Sequence, residues 1–143
     1  MSDKYGLKPQ QIELEITESV FFEDTERLVK IIKRIKDLGF IISMDDFGAG
    51  FSTLSLMKTL PVDIIKLDGS FFLRNELDAK NKAVISAIMQ LSKNLQFETV
   101  SEGVETREQL EFVKEQGGRC VQGFYFYKPM PAEEFEKLLK PIN

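Results

Sequence analysis

The sequence contains no histidine. That removes the commonest general base and the imidazole ligands of zinc sites. Any hydrolysis performed by this chain has to rest on carboxylates, lysine and metal ions. A single cysteine, Cys120, excludes an internal disulfide and fits a reducing compartment. No apolar run approaches the roughly 18 residues needed to cross a bilayer. The opening MSDKYGLKPQ has no apolar core segment and does not read as a signal peptide. The expected location is therefore the cytoplasm. Positive charge is not in excess: the net charge is −4, so nothing points to a DNA or RNA polymer bound on a basic surface. An anionic substrate would need metal ions as intermediaries. What is present, 43% hydrophobic and 29% charged residues over 143 positions, is the composition of one globular domain with a real core.

Strand and helix signals alternate along the chain. QIELEIT (11–17) alternates apolar and polar residues and reads as a strand. Over 25–39, Leu28, Ile31, Ile32, Ile35 and Leu38 share a helical face, with Asp24 or Thr25 as N-cap and Gly39 where a C′ glycine would sit. FIISMDD (40–46) is a second strand, 52–60 a short helix stopped by Pro61, and VDIIKLD (62–68) a third strand. A helix over 78–95 has Val84, Ile88, Leu91 and Leu95 spaced for burial. FETVSE (97–102) is a strand, and 106–118 a helix whose Thr106 and Gln109 form a capping box. RCVQGF (119–124) is a fifth strand, and Pro131 suits the first turn of a last helix reaching about Leu139.

Repeated β-then-α units imply parallel strands with right-handed crossovers. Two architectures fit: an open doubly wound sheet, or part of a (β/α)8 barrel. No GxGxxG follows the first strand, so the dinucleotide fingerprint is absent. A full barrel needs about 200 residues or more. In the barrel reading the chain therefore supplies roughly the second half.

The polar residues fall at the strand ends. Glu15 and Glu18 end the first strand, Asp45 and Asp46 the second, Lys66 and Asp68 the third; Glu102 and Glu105 follow the fourth, and Gln122 lies in the fifth. Each alone has an ordinary explanation. A strand-end acid commonly caps a helix or sits solvated in a loop; Asp68 could cap a turn before Gly69, and Lys66 could snorkel. Together they mark the edge that carries active sites in α/β sheets and barrels. Lys66 and Asp68 are two apart and share a face. Asp45 and Asp46 can address one point only if the strand turns there, and Gly48 and Gly50 would allow that. Packed carboxylates need cations. Lys66 is one, and an all-oxygen ligand set favours hard divalent ions such as Mg²⁺ or Mn²⁺.

ELEITES, MDDFGAGFSTLSLMKTLPVDIIKLDGSFF, TVSEGVET and VQGFYFYKPMP, in this order and spacing, closely resemble the EAL-domain cyclic-di-GMP phosphodiesterases of bacterial signalling. The resemblance runs from about Tyr5 to Leu139. It implies the C-terminal portion of a TIM-like barrel: one partial EAL domain over 1–143, with about five parallel strands. It also implies hydrolysis of cyclic-di-GMP to linear pGpG with two Mg²⁺ or Mn²⁺ ions per complete site. By position, Glu15, Asp45, Asp46 and Glu102 match metal ligands, with Asp45 bridging. Lys66 and Glu102 match the groups that handle the attacking water. Glu105 and Gln122 complete the shell around metal, water and substrate. Glu18 and Asp68 match supporting residues.

The resemblance also sets an expectation against activity. No Glu-Ala-Leu or close variant occurs in the chain, and Asn75, Asn81 and Asn94 do not stand where the family's asparagine ligand falls. With two ligands missing, the chain alone is expected to be inactive. The alternative is a non-catalytic module that binds cyclic-di-GMP or protein. Open barrel edges would favour a homodimer or other self-association. The aromatic FYFYKPMP (124–131) could shape a substrate mouth or simply pack.

Overall fold

The computed structural model describes residues 2–17, 20, 24–48, 54–72 and 77–139. Five parallel strands form one sheet: β1 (Glu13–Thr17), β2 (Ile41–Phe47), β3 (Ile64–Leu67), β4 (Glu98–Ser101) and β5 (Cys120–Val121). Their order is β1-β2-β3-β4-β5. A doubly wound sheet reverses its order at a switch point. This one never reverses, so each crossover carries the chain one strand further in the same direction, as around a barrel. Helices α1 (Ser2–Tyr5), α2 (Thr25–Asp37), α3 (Leu54–Thr59), α4 (Ala79–Asn94), α5 (Arg107–Glu115) and α6 (Ala132–Glu136) complete the described elements, with 3-10 turns at Pro9–Gln11 and Gly69–Phe71.

The core lies between the sheet and its helices. Ile42 and Met44 of β2 and Ile65 and Leu67 of β3 are fully buried, together with Ile32 of α2 and Ile85 of α4. The alternation that buries these positions turns Glu15, Ser43 and Ile64, neighbours in register, to the opposite face. On the N-terminal side of the sheet, the Asp63 carboxylate takes an ion pair from Lys36 at 2.6 Å and a hydrogen bond from the Ile42 amide at 3.0 Å, which holds β3 in register with β2.

Asp24 caps α2, and Gly39 takes the left-handed backbone expected after it, at φ 92°. Two helical faces differ from the sequence pattern. Ile31 and Leu38 are 42% and 67% exposed, while Val29 joins Leu28, Ile32 and Ile35 against the core. In α4, Ile85, Ile88, Met89 and Ser92 are buried, whereas Val84, and Leu95 just beyond the last helical residue, are exposed. Apolar residues cover so wide an arc of that helix that periodicity admits two centres, and its seat on β4 selects one.

β5 is shorter than the 119–124 segment suggested. Gln122 still donates to the Ser101 carbonyl at 2.8 Å, but at Gly123 the chain turns so that Tyr125 can donate to the Val104 carbonyl at 3.0 Å. A β-carbon on Gly123 would overlap that Val104 carbonyl. Pro131 stands at the N-cap of α6, one residue before the first turn. Gly123→Ala is expected to destabilise the chain by about 2 kcal/mol. Urea denaturation of the two proteins checks this, and an unchanged midpoint would contradict the close backbone approach.

Candidate metal centre

The strand-end residues converge because the backbone ladder continues past the strands. The amides of Asp68, Glu102 and Gln122 donate to the carbonyls of Phe47, Leu67 and Ser101 at 3.2, 3.1 and 2.8 Å. Successive strand ends are thereby kept level, and their side chains meet along one edge.

Lys66 lies at the middle of that edge. Its side chain is 9% exposed, and its ammonium sits 2.9 Å from Glu15, 3.0 Å from Asp45 and 2.9 Å from Glu102. Burial opposes the charge, yet the carboxylates of Glu102, Glu15 and Asp45 outweigh it and hold the lysine above its ordinary pKa. Lys66 is thus a fixed cation.

Asp45 and Asp46 reach one region through a bulge in β2, with Gly48 in positive-φ backbone just beyond it. β2 continues through both as strand to Phe47, and the register against β3 shifts between Met44 and Phe47. Within that bulge Asp46 itself adopts left-handed backbone, φ 56°, followed by Gly48 at φ 95°. Aspartate tolerates this conformation better than most residues, and a bulge re-aims side chains that would otherwise alternate. Asp45, Asp46 and Glu102 each offer a carboxylate oxygen, all within 4.8 Å of one another. Asp45 Oδ1 is shielded from solvent and is held by the nearby ammonium without an aligned hydrogen bond, so a lone pair remains for a cation. Partial desolvation, then the charges of Asp45 and Asp68, push the Asp46 carboxyl above its ordinary pKa. This oxygen-only set fits a hard divalent ion.

Glu15 joins the cluster through Lys66, with its side chain 52% exposed. Asp68 instead accepts from the Ser70 amide at 2.8 Å and caps the turn at Gly69–Phe71. Glu105 and Gln122 are exposed and line a cavity of about 400 Å³ beside the edge, with Phe124, Tyr127, Lys128 and Phe135. Phe135 comes from α6, and no sequence spacing tied it to the strand ends. Glu18, Gly50, Asn75 and the start of the 52–60 helix lie outside the described residues.

These features define a class: an arc of a TIM-like β/α barrel with an acidic site on its C-terminal edge. The chain belongs to the EAL domain family, whose model matches residues 1–129. It is 40% identical over 133 residues to the bifunctional diguanylate cyclase/cyclic di-GMP phosphodiesterase MucR of Pseudomonas aeruginosa, covering 92% of this chain and 19% of that protein. It is 33% identical over 138 residues to the cyclic di-GMP phosphodiesterase NbdA of the same species, covering 96% and 18%. Among solved structures, the MucR phosphodiesterase in complex with c-di-GMP superposes with a TM-score of 0.86 at 37% identity, over 94% of this chain and 54% of that one. The manganese/cyclic-di-GMP complex of Klebsiella pneumoniae BlrP1 gives 0.81 at 32% identity, over 88% and 32%. The chain thus spans less than a fifth of these two curated relatives and about half of the MucR structure.

Two consequences of the electrostatics can be measured on the metal-free chain. Lys66→Met leaves three carboxylates without their counter-charge and is expected to cost about 3 kcal/mol at pH 7. The lysine's raised pKa adds stability that is present below about pH 10 and is lost as pH rises further. Asp46 has the opposite sign. Its raised pKa means that ionisation disfavours the folded state at every pH above the ordinary aspartate value of about 3.9. Asp46→Asn is therefore expected to raise the thermal midpoint at pH 7 in EDTA, with the advantage shrinking below about pH 4. An equal or lower midpoint at pH 7 would contradict the crowding of Asp46.

Proposed function

We propose that the 143 residues form one unit, the C-terminal part of an EAL barrel, and supply most of the ligands of a cyclic-di-GMP phosphodiesterase site. The observation that carries this reading is the convergence of Asp45, Asp46 and Glu102 oxygens within 4.8 Å, beside a buried lysine, in a chain of this family. Asp45, Asp46, Glu102 and Glu15 would hold the Mg²⁺ or Mn²⁺ ions of the site. When bound, such ions supply a water of lowered pKa and neutralise charge on phosphoryl oxygens.

The chain's own groups have distinct tasks. Lys66, permanently protonated, keeps Glu15, Asp45 and Glu102 together and donates a hydrogen bond to the attacking water. Glu102 accepts from that water and fixes its approach to phosphorus. Water oxygen bonds to phosphorus as the bond from phosphorus to the 3′ oxygen breaks, the proton given up by the water ends on that 3′ oxygen, and cyclic-di-GMP opens to linear pGpG. Gln122 and Glu105, on the 400 Å³ cavity, contact the substrate; Asp68 supports them through its capped turn. Glu18 would support the loop after Asp46. The setting would be the bacterial cytoplasm.

A second reading rests on the edges of β1 and β5, which pair with no further strand among the described residues. Leu14, Phe126 and Tyr127 are 36%, 50% and 59% exposed, and unpaired strand edges favour association. Under this reading the chain is a binding or interaction module that pairs with a second copy. Its mass in solution tests the point.

For the principal reading, the chain is expected to bind Mn²⁺ by calorimetry, and Asp45→Asn to weaken that binding at least about 10-fold. Alone it should not turn over cyclic-di-GMP. Joined to the remaining strands of an EAL barrel it should, and Asp45→Asn should abolish that turnover. An inactive completed barrel would sink the phosphodiesterase reading.

A further inference from the structure

The loop after β4 carries Glu102 and Glu105, and the loop after β3 carries Asp68. They belong to different β/α units, and one buried side chain spans them. Gln109, 3% exposed in the first turn of α5, accepts from the amides of Glu105 and Thr106 at 2.7 and 2.9 Å through Oε1. Its Nε2 donates to the carbonyl of Phe72 at 2.8 Å. The first pair is half of a capping box, completed by the Gln109 amide donating to Thr106 Oγ1 at 3.2 Å. The bond to Phe72 is not part of any cap. It reaches 37 residues back along the chain to the turn that follows Asp68.

The two loops are also pressed together at the backbone. Gly103, at φ 69°, lies so close to Gly69 that a β-carbon on it would come within 2.8 Å of the Gly69 Cα. Glycines permit that approach without themselves holding it. Among the described residues, the direct backbone tie between these ends is the Glu102 amide donating to Leu67, at the strand ends themselves. Further out, at residues 69–72 and 103–106, the Gln109 amide is the tie.

We propose that Gln109 is a positioning residue, a clasp that fixes the loop bearing Glu102 and Glu105 against the loop bearing Asp68. It thereby sets where the Glu102 carboxylate stands relative to Asp45 and Asp46. As far as it concerns a metal, this inference rests on the reading above. A capping residue alone would need only the acceptor Oε1, and glutamate serves equally at that position. The donor Nε2 and its buried acceptor are what the clasp adds, and an unmatched buried carbonyl is costly.

The test separates cap from clasp in the 143-residue chain. Thr106→Ala removes the cap's hydroxyl acceptor and leaves the Phe72 bond. Gln109→Glu keeps the capping acceptor and sets a carboxylate against the Phe72 carbonyl. Gln109→Met, close in volume and uncharged, serves should the glutamate variant fail to fold. Backbone amide exchange is read at Phe71 and Phe72, and Mn²⁺ affinity by calorimetry. The clasp predicts at least about 10-fold faster exchange at Phe71 and Phe72 and roughly 10-fold weaker Mn²⁺ binding in the folded Gln109 variants, with both unchanged in Thr106→Ala. Exchange at wild-type rates in the Gln109 variants, or an equal change in Thr106→Ala, overturns it. If the unmodified chain binds no Mn²⁺, the metal reading fails, and the exchange rates alone decide the clasp.

Discussion

The convergence of Glu15, Asp45 and Glu102 on the C-terminal edge depends on one ammonium group, that of Lys66. Without Lys66, strands β1, β2 and β4 would deliver Glu15, Asp45 and Glu102 to a common region as unscreened negative charges, two of them with side chains less than a quarter exposed. A buried cation within 3.0 Å of all three makes that arrangement tolerable. It also has a consequence for chemistry. One unit charge balances three carboxylates incompletely, and Asp46 adds a fourth within reach of Asp45 and Glu102. The centre therefore retains a net negative field, which a divalent cation is suited to occupy.

The fold serves this arrangement in two ways. The strictly sequential strand order puts every strand end on the same side of one arc, so residues 51 positions apart, Glu15 and Lys66, become direct partners. The bulge in β2 then breaks the period-two alternation at the point where two consecutive carboxylates must serve one locus. Burial of Ile42, Met44, Ile65 and Leu67 on the other face pins the register. Slipping a strand by one residue would exchange these apolar groups with Ser43, Asp45 and Lys66.

Much of this was legible in the sequence, for identifiable reasons. The five strands were legible from apolar alternation or short apolar runs between helical segments, and the cap at Asp24 and the capping box at Thr106 and Gln109 follow from side-chain chemistry that acts locally. Glu15, Asp45, Lys66 and Glu102 stood out because they fall together at successive strand ends, the edge that carries active sites in such folds. Features set by tertiary contact were less legible. The buried face of α4 depends on how the helix seats on β4. The left-handed backbone of Asp46 could not be separated from the glycines that follow it. The reach of Gln109 to Phe72 has no signature, since a capping glutamine looks the same with or without a distant carbonyl. Phe135 enters the cavity beside Gln122 only because α6 folds back, and no local pattern encodes that return.

The central claim is that Asp45, Asp46 and Glu102 form a divalent-cation site. Substoichiometric Mn²⁺ added to the isotope-labelled chain tests it most directly, because paramagnetic broadening of amide signals falls steeply with distance from the ion. The account predicts broadening that is strongest at Asp46, Phe47, Glu102 and Gly103 and absent from the same residues in Asp45→Asn. Broadening centred on the acidic α6 residues Glu133, Glu134 and Glu136, or spread evenly over the surface, would contradict it.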